Sequence, residues 1–474
     1  MLITGTVMKS VLMTLTRDKE IFTRLIIGVL IYSTILSYQA AYPSIQDTQI
    51  LGGLFHRNEL SSGVEMYIYI ISILLILFII GREELVAEYR IVLGFSILGM
   101  ITLIFSYDLI STFLAIELQS LSLYVIATMT RKEATAAGLK YFLLGSLSSA
   151  IFLLGLVLIY SLTGITQYDG YNILMSIDHD KAVSVFLGDS EYNKFILLGT
   201  VLIAVGLLVK VGAAPFHNWA PDVYDNVPTL ITSWLAIMGK LSILSFILII
   251  KSTGDIGYQL ESFTLLTLSA ILSLFIGSIL GLTQHRIKRL LAYSSISHLG
   301  FLLIGMSIDS GLAVSSFLFY MFQYWISLCC IFAILIYNQQ SDLTSIAALT
   351  TIRSNPALAF VFIIHLFSLT GIPPLIGFFG KQMILYTSLL NGYYLISTIA
   401  ICTSVISAAY YLRIVKTLSF TLEENNIPTE TSNSNSNRAL SWIISLITLI
   451  TLLFFINPTI VLNFTHGFAI WNLY

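Results

Sequence analysis

Apolar runs of about 20 residues, the length that crosses a bilayer as one helix, follow one another along nearly the whole chain. Of the 474 residues, 57% are hydrophobic and only 10% are charged, which is too little polar surface for a soluble enzyme. The sequence therefore predicts an all-α polytopic membrane protein with about fourteen transmembrane helices, surrounded by phospholipids. A net charge of -2 without a basic stripe gives no reason to expect nucleic acid as a partner.

The predicted spans cover residues 1–16, 21–38, 66–81, 91–106, 109–129, 139–162, 195–220, 229–250, 262–283, 290–308, 312–337, 357–388, 393–415 and 439–456. Residues 458–474 are predicted to lie at the membrane interface, where Trp471 and Tyr474 suit the headgroup region. Two polar segments, 163–194 and 421–438, are predicted to be loops. No small-residue cleavage site follows the first apolar run, so we expect no removable signal peptide.

Lysine and arginine gather on one side of the membrane if these spans are counted correctly. The loops after odd-numbered spans carry Arg17, Lys19, Arg82, Arg90, Arg131, Lys132, Arg286, Lys288, Arg289, Arg353, Lys416 and Arg438, whereas the opposite loops carry Arg57, Lys181, Lys194 and Lys251. We call the side with the basic loops the inner side. Both termini are then predicted to face the outer side.

Two of the predicted spans contain residues that interrupt a helix. The seventh holds Pro215 shortly after Lys210, and the twelfth holds Gly371, Pro373 and Pro374 before Lys381. Proline removes a helical N–H and clashes with the preceding turn, so both spans are predicted to be broken. A single break would be only a kink. The two broken helices are five spans apart and therefore cross the membrane in opposite directions, which indicates an inverted repeat. We expect N-terminal helices over 1–106, five-helix repeats over 107–255 and 256–416, a polar loop over 417–438 and a C-terminal helix and tail over 439–474.

Charged residues at membrane depth are the candidates for function. Each buried Lys or Asp costs about 2.5 to 3.5 kcal/mol on insertion scales, so each one needs a reason. Glu117 lies about 21 Å and Lys140 about 14 Å from the inner loop, which makes a pair or a water bridge between them feasible; a lysine extending to the inner surface is the alternative. Lys210 and Lys240 fall near mid-depth, either as proton carriers or as structural ion pairs. Lys381 falls in the outer half.

Histidines and aspartates add weaker candidates. His298 could relay protons, since imidazole titrates near neutral pH, or could make an interhelical hydrogen bond. His217 follows the first break, and His365 is expected to hydrogen-bond between helices. A helix cap or a solvated face accounts for Asp222 and Asp225. The cysteines and histidines form no metal-ligand pattern, and no nucleophile, phosphate loop or redox centre is expected in this chain.

Three segments in a fixed order resemble the antiporter-like membrane-arm subunits of respiratory complex I, the NADH:ubiquinone oxidoreductase. They are Pro215 to Tyr224, Lys288 to Gly300, and Gly371 to Lys381, and the resemblance extends over residues 108–413. The first 60 residues resemble no family known to us. The resemblance implies a proton-translocating unit that has other membrane-arm subunits as partners. It implies no cofactor in this chain, with NADH, flavin, iron–sulfur clusters and ubiquinone bound by other subunits.

Carried over by position, the resemblance pairs Glu117 with Lys210, makes Lys240 the middle relay and makes Lys381 the group leading outward. The resemblance is narrowed to one type of subunit by two features. Position 381 holds lysine rather than glutamate, and no long lateral helix is expected after the last span. Pro374 makes the second break a double proline, where many relatives have one. The residue usage and the lack of a presequence suggest a mitochondrially encoded protein of the inner membrane.

Two other functions remain open. The same repeat serves cation/proton antiporters, although the sequence shows no acidic or hydroxyl ligands at a break beyond Thr370 and Glu117. A structural spacer of the membrane arm that moves no protons is the second alternative.

Overall fold

The computed structural model describes residues 19–40, 48–79, 87–129, 132–170, 189–252, 261–338, 345–420 and 434–470. Almost all of this part of the chain is helical. In chain order the helices are α1 (Lys19–Ala40), α2 (Glu59–Leu77), α3 (Ala87–Phe105), α4 (Leu109–Thr128), α5 (Lys132–Thr163), α6 (Asp189–Val211), α7 (Trp219–Asn226), α8 (Thr229–Ser252), α9 (Glu261–Leu282), α10 (Ile287–Ser307), α11 (Gly311–Tyr337), α12 (Pro356–Thr370), α13 (Ile376–Leu390), α14 (Tyr394–Phe420), α15 (Ser434–Leu453) and α16 (Thr459–Ile470), with a 3₁₀ helix over Ala347–Ser354.

Within the described ranges, ten helices are long and apolar enough to cross a membrane. A multi-pass helical membrane fold is therefore confirmed, whereas the total of about fourteen spans stays a prediction. The first predicted span lies outside the described residues, as do most of the two predicted polar loops. Observed helices match each of the remaining spans, and the two predicted broken spans appear as the pairs α6 with α7 and α12 with α13.

The centre of the protein is formed by α8, α10 and α11, whose apolar stretches are almost completely buried. Around them the helices pack as neighbours in sequence, α1 on α2, α3 on α4, α5 on α6 and α9 on α10. One face of α5 is exposed and apolar, with Leu139, Leu143, Leu147 and Leu154 at helical spacing. Exposed leucines on a membrane helix are typical of contact with lipid, so α5 lies at the periphery and α10 in the interior.

Helix α2 begins at Glu59, seven residues before the predicted start at 66. Its first turns contain serine and glutamate, which weaken the apolar signal. The hydroxyls of Ser61 and Ser62 donate to the carbonyls of Asn58 and Glu59 at 2.8 Å, and Glu65 accepts from Arg57 at 3.0 Å. Polar groups satisfied inside or beside their own helix can enter the bilayer, so the helix extends further than its hydrophobicity indicates.

A short antiparallel hairpin, β1 (Thr48–Ile50) and β2 (Phe55–Arg57), departs from the predicted all-α fold. Its turn holds Gly52 and Gly53 at φ +70° and +92°, a conformation that favours glycine. The carbonyl of Leu54 accepts from the Tyr107 amide and the Ser111 hydroxyl, just where α4 starts. Asp108 caps α4 through the amides of Ile110 and Ser111, which fixes the helix that carries Glu117.

Candidate proton pathway

The first break separates α6 from α7. The amide of Gly212, at φ +76°, donates to the carbonyls of Leu208 and Val209, and the amide of Ala213 donates to Leu208. This is the Schellman pattern that ends a helix with glycine in the left-handed region. The Ala214–Pro215 peptide bond is cis, and α7 starts at Trp219. The indole N–H of Trp219 also donates to the Val209 carbonyl, at 2.8 Å, so this carbonyl at the end of α6 has two donors.

The second break, between α12 and α13, repeats this backbone arrangement. The amide of Gly371, at φ +86°, donates to Phe367 and Ser368, and that of Ile372 donates to Phe367. The cis bond here joins Pro373 to Pro374, so each cis proline stands three residues after its glycine. Both helices are interrupted where the sequence predicts, and the double proline forms the same kind of break as the single one.

Lys210, in the last turn of α6, forms an ion pair with Glu117 of α4. Their Nζ and Oε1 atoms are 3.1 Å apart, and Nζ also lies 3.2 Å from the hydroxyl of Ser120. The Lys210 side chain is 5% exposed and that of Glu117 is 23% exposed. A cavity of about 20 Å³ adjoins the pair, lined in part by Ser120, Tyr124, Tyr141, Lys210 and Trp219, and this volume admits about one water molecule.

Lys140 forms no direct ion pair with Glu117 in the described structure, and its partly exposed side chain agrees with the alternative of a lysine extending to the inner surface. Its ammonium group instead contacts the carboxylate of Asp222 on α7, and Asp222 also accepts from Arg289 at 3.4 Å. The reason is the packing of α5 against α7, which brings a residue assigned to a cap or a solvated face into reach of Lys140. Asp225 likewise pairs with Arg286, at 2.8 Å.

Lys240 of α8 is completely enclosed, at 1% exposure. Its ammonium donates to the hydroxyl of Ser295 at 2.8 Å and lies 5.4 Å from the centre of the Tyr224 ring. Within the described ranges it has no carboxylate partner. Gln119, on the same helix as Glu117, contacts the residues around Lys240. Its side-chain NH₂ donates to the Gly239 carbonyl at 3.2 Å, and its side-chain oxygen accepts from the Ser242 hydroxyl at 2.9 Å.

His298 lies one helical turn beyond Ser295 on α10. Its ring nitrogens lie 2.6 Å from the hydroxyl of Tyr320 and 3.1 Å from that of Tyr411, and its ring stacks on Tyr324 with centroids 4.7 Å apart. Both alternatives for His298 therefore keep support, since it is hydrogen-bonded between helices and also lies in the row of polar groups.

Lys381 lies close to the second break. Its ammonium donates to the carbonyl of Thr370, the last residue of α12, at 2.8 Å and sits 5.4 Å from the centre of the Phe301 ring. Phe301 is one turn beyond His298 on α10. One face of α10 thus leads from the group bound to Lys240, through His298, to the ring beside Lys381.

Two other histidines, His217 and His365, were also candidates in the sequence. A ring nitrogen of His217 lies 3.2 Å from the Pro215 carbonyl, so His217 braces the break itself. His365 is fully buried, but neither ring nitrogen has a hydrogen-bond partner among the residues that the structure describes. The expected interhelical hydrogen bond of His365 is therefore not found within the described residues.

Sequence reasoning missed the neutral residues that join the charged ones: Ser120, Gln119, Trp219, Tyr224, Ser295, Tyr320 and Tyr411. Several lie in the quoted segments from Pro215 to Tyr224 and from Lys288 to Gly300, but nothing in one sequence tells a polar relay residue from a packing residue. Across the described residues, no group of three or more His, Cys, Asp or Glu side chains is arranged to hold a metal ion. The chemistry available to these groups is the movement of protons between amines, imidazole, hydroxyls and water.

Comparison with known proteins identifies the fold. The family described as "NADH:quinone oxidoreductase/Mrp antiporter, TM" matches residues 106–407. The chain is 41% identical to NADH-ubiquinone oxidoreductase chain 2 of Rhizopus oryzae, with 94% of each chain covered. It is 36% identical to NADH-quinone oxidoreductase subunit N of Paramagnetospirillum magneticum, covering 78% of this chain and 75% of that one.

The chain belongs to this NADH:quinone oxidoreductase/Mrp antiporter family. A solved structure of respiratory complex I from Thermus thermophilus with bound aureothin contains a chain that superposes with a TM-score of 0.73 at 26% identity, covering 97% of this chain and 96% of that one. The family match includes both breaks and all six candidate proton-pathway residues. Because the Rhizopus relative covers 94% of the chain, the expectation that the first 60 residues resemble nothing known was wrong.

Proposed function

We propose that this chain is the chain 2-type, proton-translocating subunit in the membrane arm of an NADH:ubiquinone oxidoreductase. The observation that carries the proposal is the row of enclosed basic groups, Lys210, Lys240, His298 and Lys381, with polar side chains such as Gln119, Ser295 and Tyr320 among them. Similarity over 94% of the Rhizopus relative supports the type of subunit. NADH, flavin, iron–sulfur clusters and ubiquinone are expected on other subunits, with membrane-arm subunits and phospholipids as neighbours.

The compartment follows from the relatives by inference. Mitochondrial-type chain 2 relatives come from Rhizopus, Oenothera and Marchantia, and subunit N relatives come from bacteria. The protein is therefore a multi-pass inner-membrane protein, and the higher identity to the Rhizopus relative favours the mitochondrial inner membrane. The charge distribution of the loops favours both termini on the intermembrane-space side.

The mechanism begins at the ion pair of Glu117 and Lys210. When a change in a neighbouring subunit draws Glu117 away, the Lys210 ammonium loses its counter-charge in a region of low dielectric. Its proton then moves to the neutral amine of Lys240, through water near Gln119 and Gly239. From Lys240 the proton passes by Ser295 and His298 to Lys381, which releases it toward the outer side.

Lys240 is the best residue for a test because it has no carboxylate partner in the described part of the chain. Removing one member of a buried ion pair leaves an uncompensated charge, which makes the result hard to interpret. Replacing Lys240 leaves no such charge. The Ser295 hydroxyl also keeps a bond, since it donates to the Ala292 carbonyl at 2.7 Å.

The test is Lys240→Met in the intact enzyme, reconstituted in sealed vesicles, with proton uptake and NADH oxidation measured together. We expect normal assembly and a fall of about tenfold or more in coupled proton movement, because Lys240 is the amine between Lys210 and His298 in the proposed row. Lys251→Met is the matched control, since Lys251 lies at the far end of the same helix, about 16 Å along it, on backbone carbonyls. Normal pumping by Lys240→Met would favour the spacer.

A cation/proton antiporter remains the second candidate, because the family description includes the Mrp antiporters. The Mrp complex of Dietzia shares the fold, with a TM-score of 0.79 at 16% identity. Replacing sodium by choline in the same vesicles tests this function. Proton movement that requires sodium and continues in the purified chain alone would support antiport.

A further inference from the structure

A cluster of charged side chains joins three helices on the inner side of the protein. Asp222, on the short helix α7, binds Lys140 of α5 and Arg289 of α10. The two helices belong to the two halves of the chain, so one carboxylate ties the halves together. All three side chains are partly open to solvent, with exposures of 34%, 46% and 40% respectively.

An aromatic layer lies directly below this cluster. Trp219 precedes Asp222 by one helical turn, and its ring stacks on Tyr141, the residue after Lys140, with centroids 4.7 Å apart. Tyr124 meets Tyr141 edge-on at 4.6 Å. The contacts between α5 and α7 thus form two successive layers, one charged and one aromatic.

The aromatic layer is also a wall of the cavity beside Lys210. Tyr141, Trp219 and Tyr124 line that cavity together with Lys210 itself. Lys210 is only 5% exposed, whereas Asp222 one layer away is 34% exposed. Exposure therefore decreases from Asp222, across the aromatic layer, to the water-sized space at the ammonium group.

We propose that Asp222 takes up protons from the inner aqueous side and delivers them to Lys210, with Lys140 and Arg289 holding the carboxylate at the mouth of this path. The proposal rests on the proposed function and adds the entry group. Lys210 becomes a neutral amine once its proton has moved to Lys240. A proton then passes from the protonated Asp222 carboxyl, past the aromatic layer and through water in the cavity, to the Lys210 amine. Asp222 returns to the carboxylate and binds the next proton from solution.

Asp225 offers a matched comparison on the same helix. It also forms an ion pair, with Arg286 at 2.8 Å, but its side chain is only 9% exposed. Asp225 has no contact with Lys140 in the described structure. Two carboxylates therefore share one helix and one side of the membrane, and only Asp222 lies over the aromatic layer of the cavity.

The test compares Asp222→Asn with Asp225→Asn in the intact enzyme in sealed vesicles. Asparagine keeps the shape and the acceptor oxygen for Lys140 but cannot carry the proton. We expect Asp222→Asn to lower proton uptake per assembled enzyme by about tenfold, with water replacing part of the relay, and Asp222→Glu to restore most of it. Asp225→Asn should keep uptake within about twofold.

Three outcomes overturn the proposal: wild-type uptake by Asp222→Asn, equal losses from both asparagine variants, or a loss that Asp222→Glu does not restore. If Asp222→Asn fails to assemble, the double variant Lys140→Gln with Asp222→Asn replaces it, because it leaves no lysine unpaired, and wild-type uptake by it counts equally against the proposal. Lys240→Met, the test of the proposed function, is measured in parallel. If that variant loses pumping while Asp222→Asn does not, only the entry group is wrong; if both pump normally, the proposed function fails.

Discussion

The two breaks have the same backbone hydrogen-bond pattern, but different side chains bind the carbonyls at the ends of their helices. Each helix ends in a Schellman pattern at a glycine, and each glycine is followed after three residues by a cis proline. At the first break, the indole of Trp219 binds the Val209 carbonyl. At the second, the ammonium of Lys381 binds the Thr370 carbonyl. A neutral side chain therefore binds the helix-end carbonyl at the first break, and a charged side chain binds it at the second.

The two lysines therefore have different partners: Lys210 can bind a carboxylate, whereas Lys381 binds the backbone at its own break. Lys210 stands two residues before its glycine and binds Glu117, whereas Lys381 stands ten residues after its glycine. The position ten residues after Gly212 holds Asp222, the partner of Lys140. Matching positions in the two breaks thus carry an acid open to the inner side and a base enclosed in the protein. The same type of helix break thus carries the proposed proton-entry group, Asp222, in one half and a proton-transfer group, Lys381, in the other.

The largest expected effect comes from removing the charged partner at the first break. Lys210→Met leaves Glu117 without a counter-charge, which costs about 3 to 5 kcal/mol for a buried pair. We expect little assembled enzyme and no coupled proton movement, measured by native electrophoresis and by vesicle assays.

The double variant Glu117→Gln with Lys210→Met separates the two causes. Without the stranded carboxylate, assembly should recover while pumping stays lost, because no amine is present at position 210. Recovery of pumping as well would show that the pair is only structural.

At the second break, one substitution should affect both stability and transport. Lys381→Met leaves the Thr370 carbonyl without its donor, a loss of about 1 to 3 kcal/mol, and removes the transfer group. We expect a lower midpoint of thermal inactivation and a large fall in protons moved per NADH oxidised. Lys416→Met, an exposed lysine on α14, is the control. A stable Lys381→Met enzyme that pumps normally would contradict the proposed division of tasks.

Substitutions of the two glycines should have smaller effects that still differ between the breaks. Gly212→Ala and Gly371→Ala force alanine into a left-handed conformation, at a cost of about 1 to 2 kcal/mol each, so the losses of stability should be similar. The new methyl at 212 would lie 3.1 Å from the Trp219 ring, and the one at 371 would lie 3.0 Å from Cδ of Lys381. Only Gly371→Ala should therefore displace a transfer group. Equal losses of pumping, after correction for assembled enzyme, would argue against this difference.

Helices and breaks were predictable because their causes are local. An apolar run of sufficient length indicates a membrane helix, and Pro215 or Pro374, three residues after a glycine, interrupts such a helix through its own geometry. The observed helix boundaries differ from the predicted ones where polar side chains hydrogen-bond to their own helix, as the hydroxyls of Ser61 and Ser62 do in α2. The hairpin at 48–57 is too short and too polar to stand out from a loop.

The partners of the charged residues were harder to predict because they depend on how the helices rotate against one another. Depth alone allowed Glu117 to meet either Lys140 or Lys210, and only the resemblance to a family chose Lys210. The packing of α5 against α7, which one sequence does not reveal, gives Lys140 to Asp222. The same holds for His365: its burial follows from the apolar helix, but that it has no hydrogen-bond partner among the described residues depends on how the neighbouring helices are rotated.

The smallest expected effect concerns Ser120, which lies 3.2 Å from the Lys210 ammonium. Ser120→Ala removes the hydroxyl that accepts from the Lys210 ammonium and donates to the Glu117 backbone carbonyl, but it leaves the Glu117 carboxylate in place. It should therefore cost about 0.5 to 1.5 kcal/mol and lower coupled proton movement only slightly. The thermal inactivation midpoint and the ratio of protons to NADH in vesicles measure both changes. If Ser120→Ala reduced pumping as strongly as Lys210→Met, the hydroxyl would be a step of the path, and the first break would depend on a neutral side chain for transport as well as for its carbonyl.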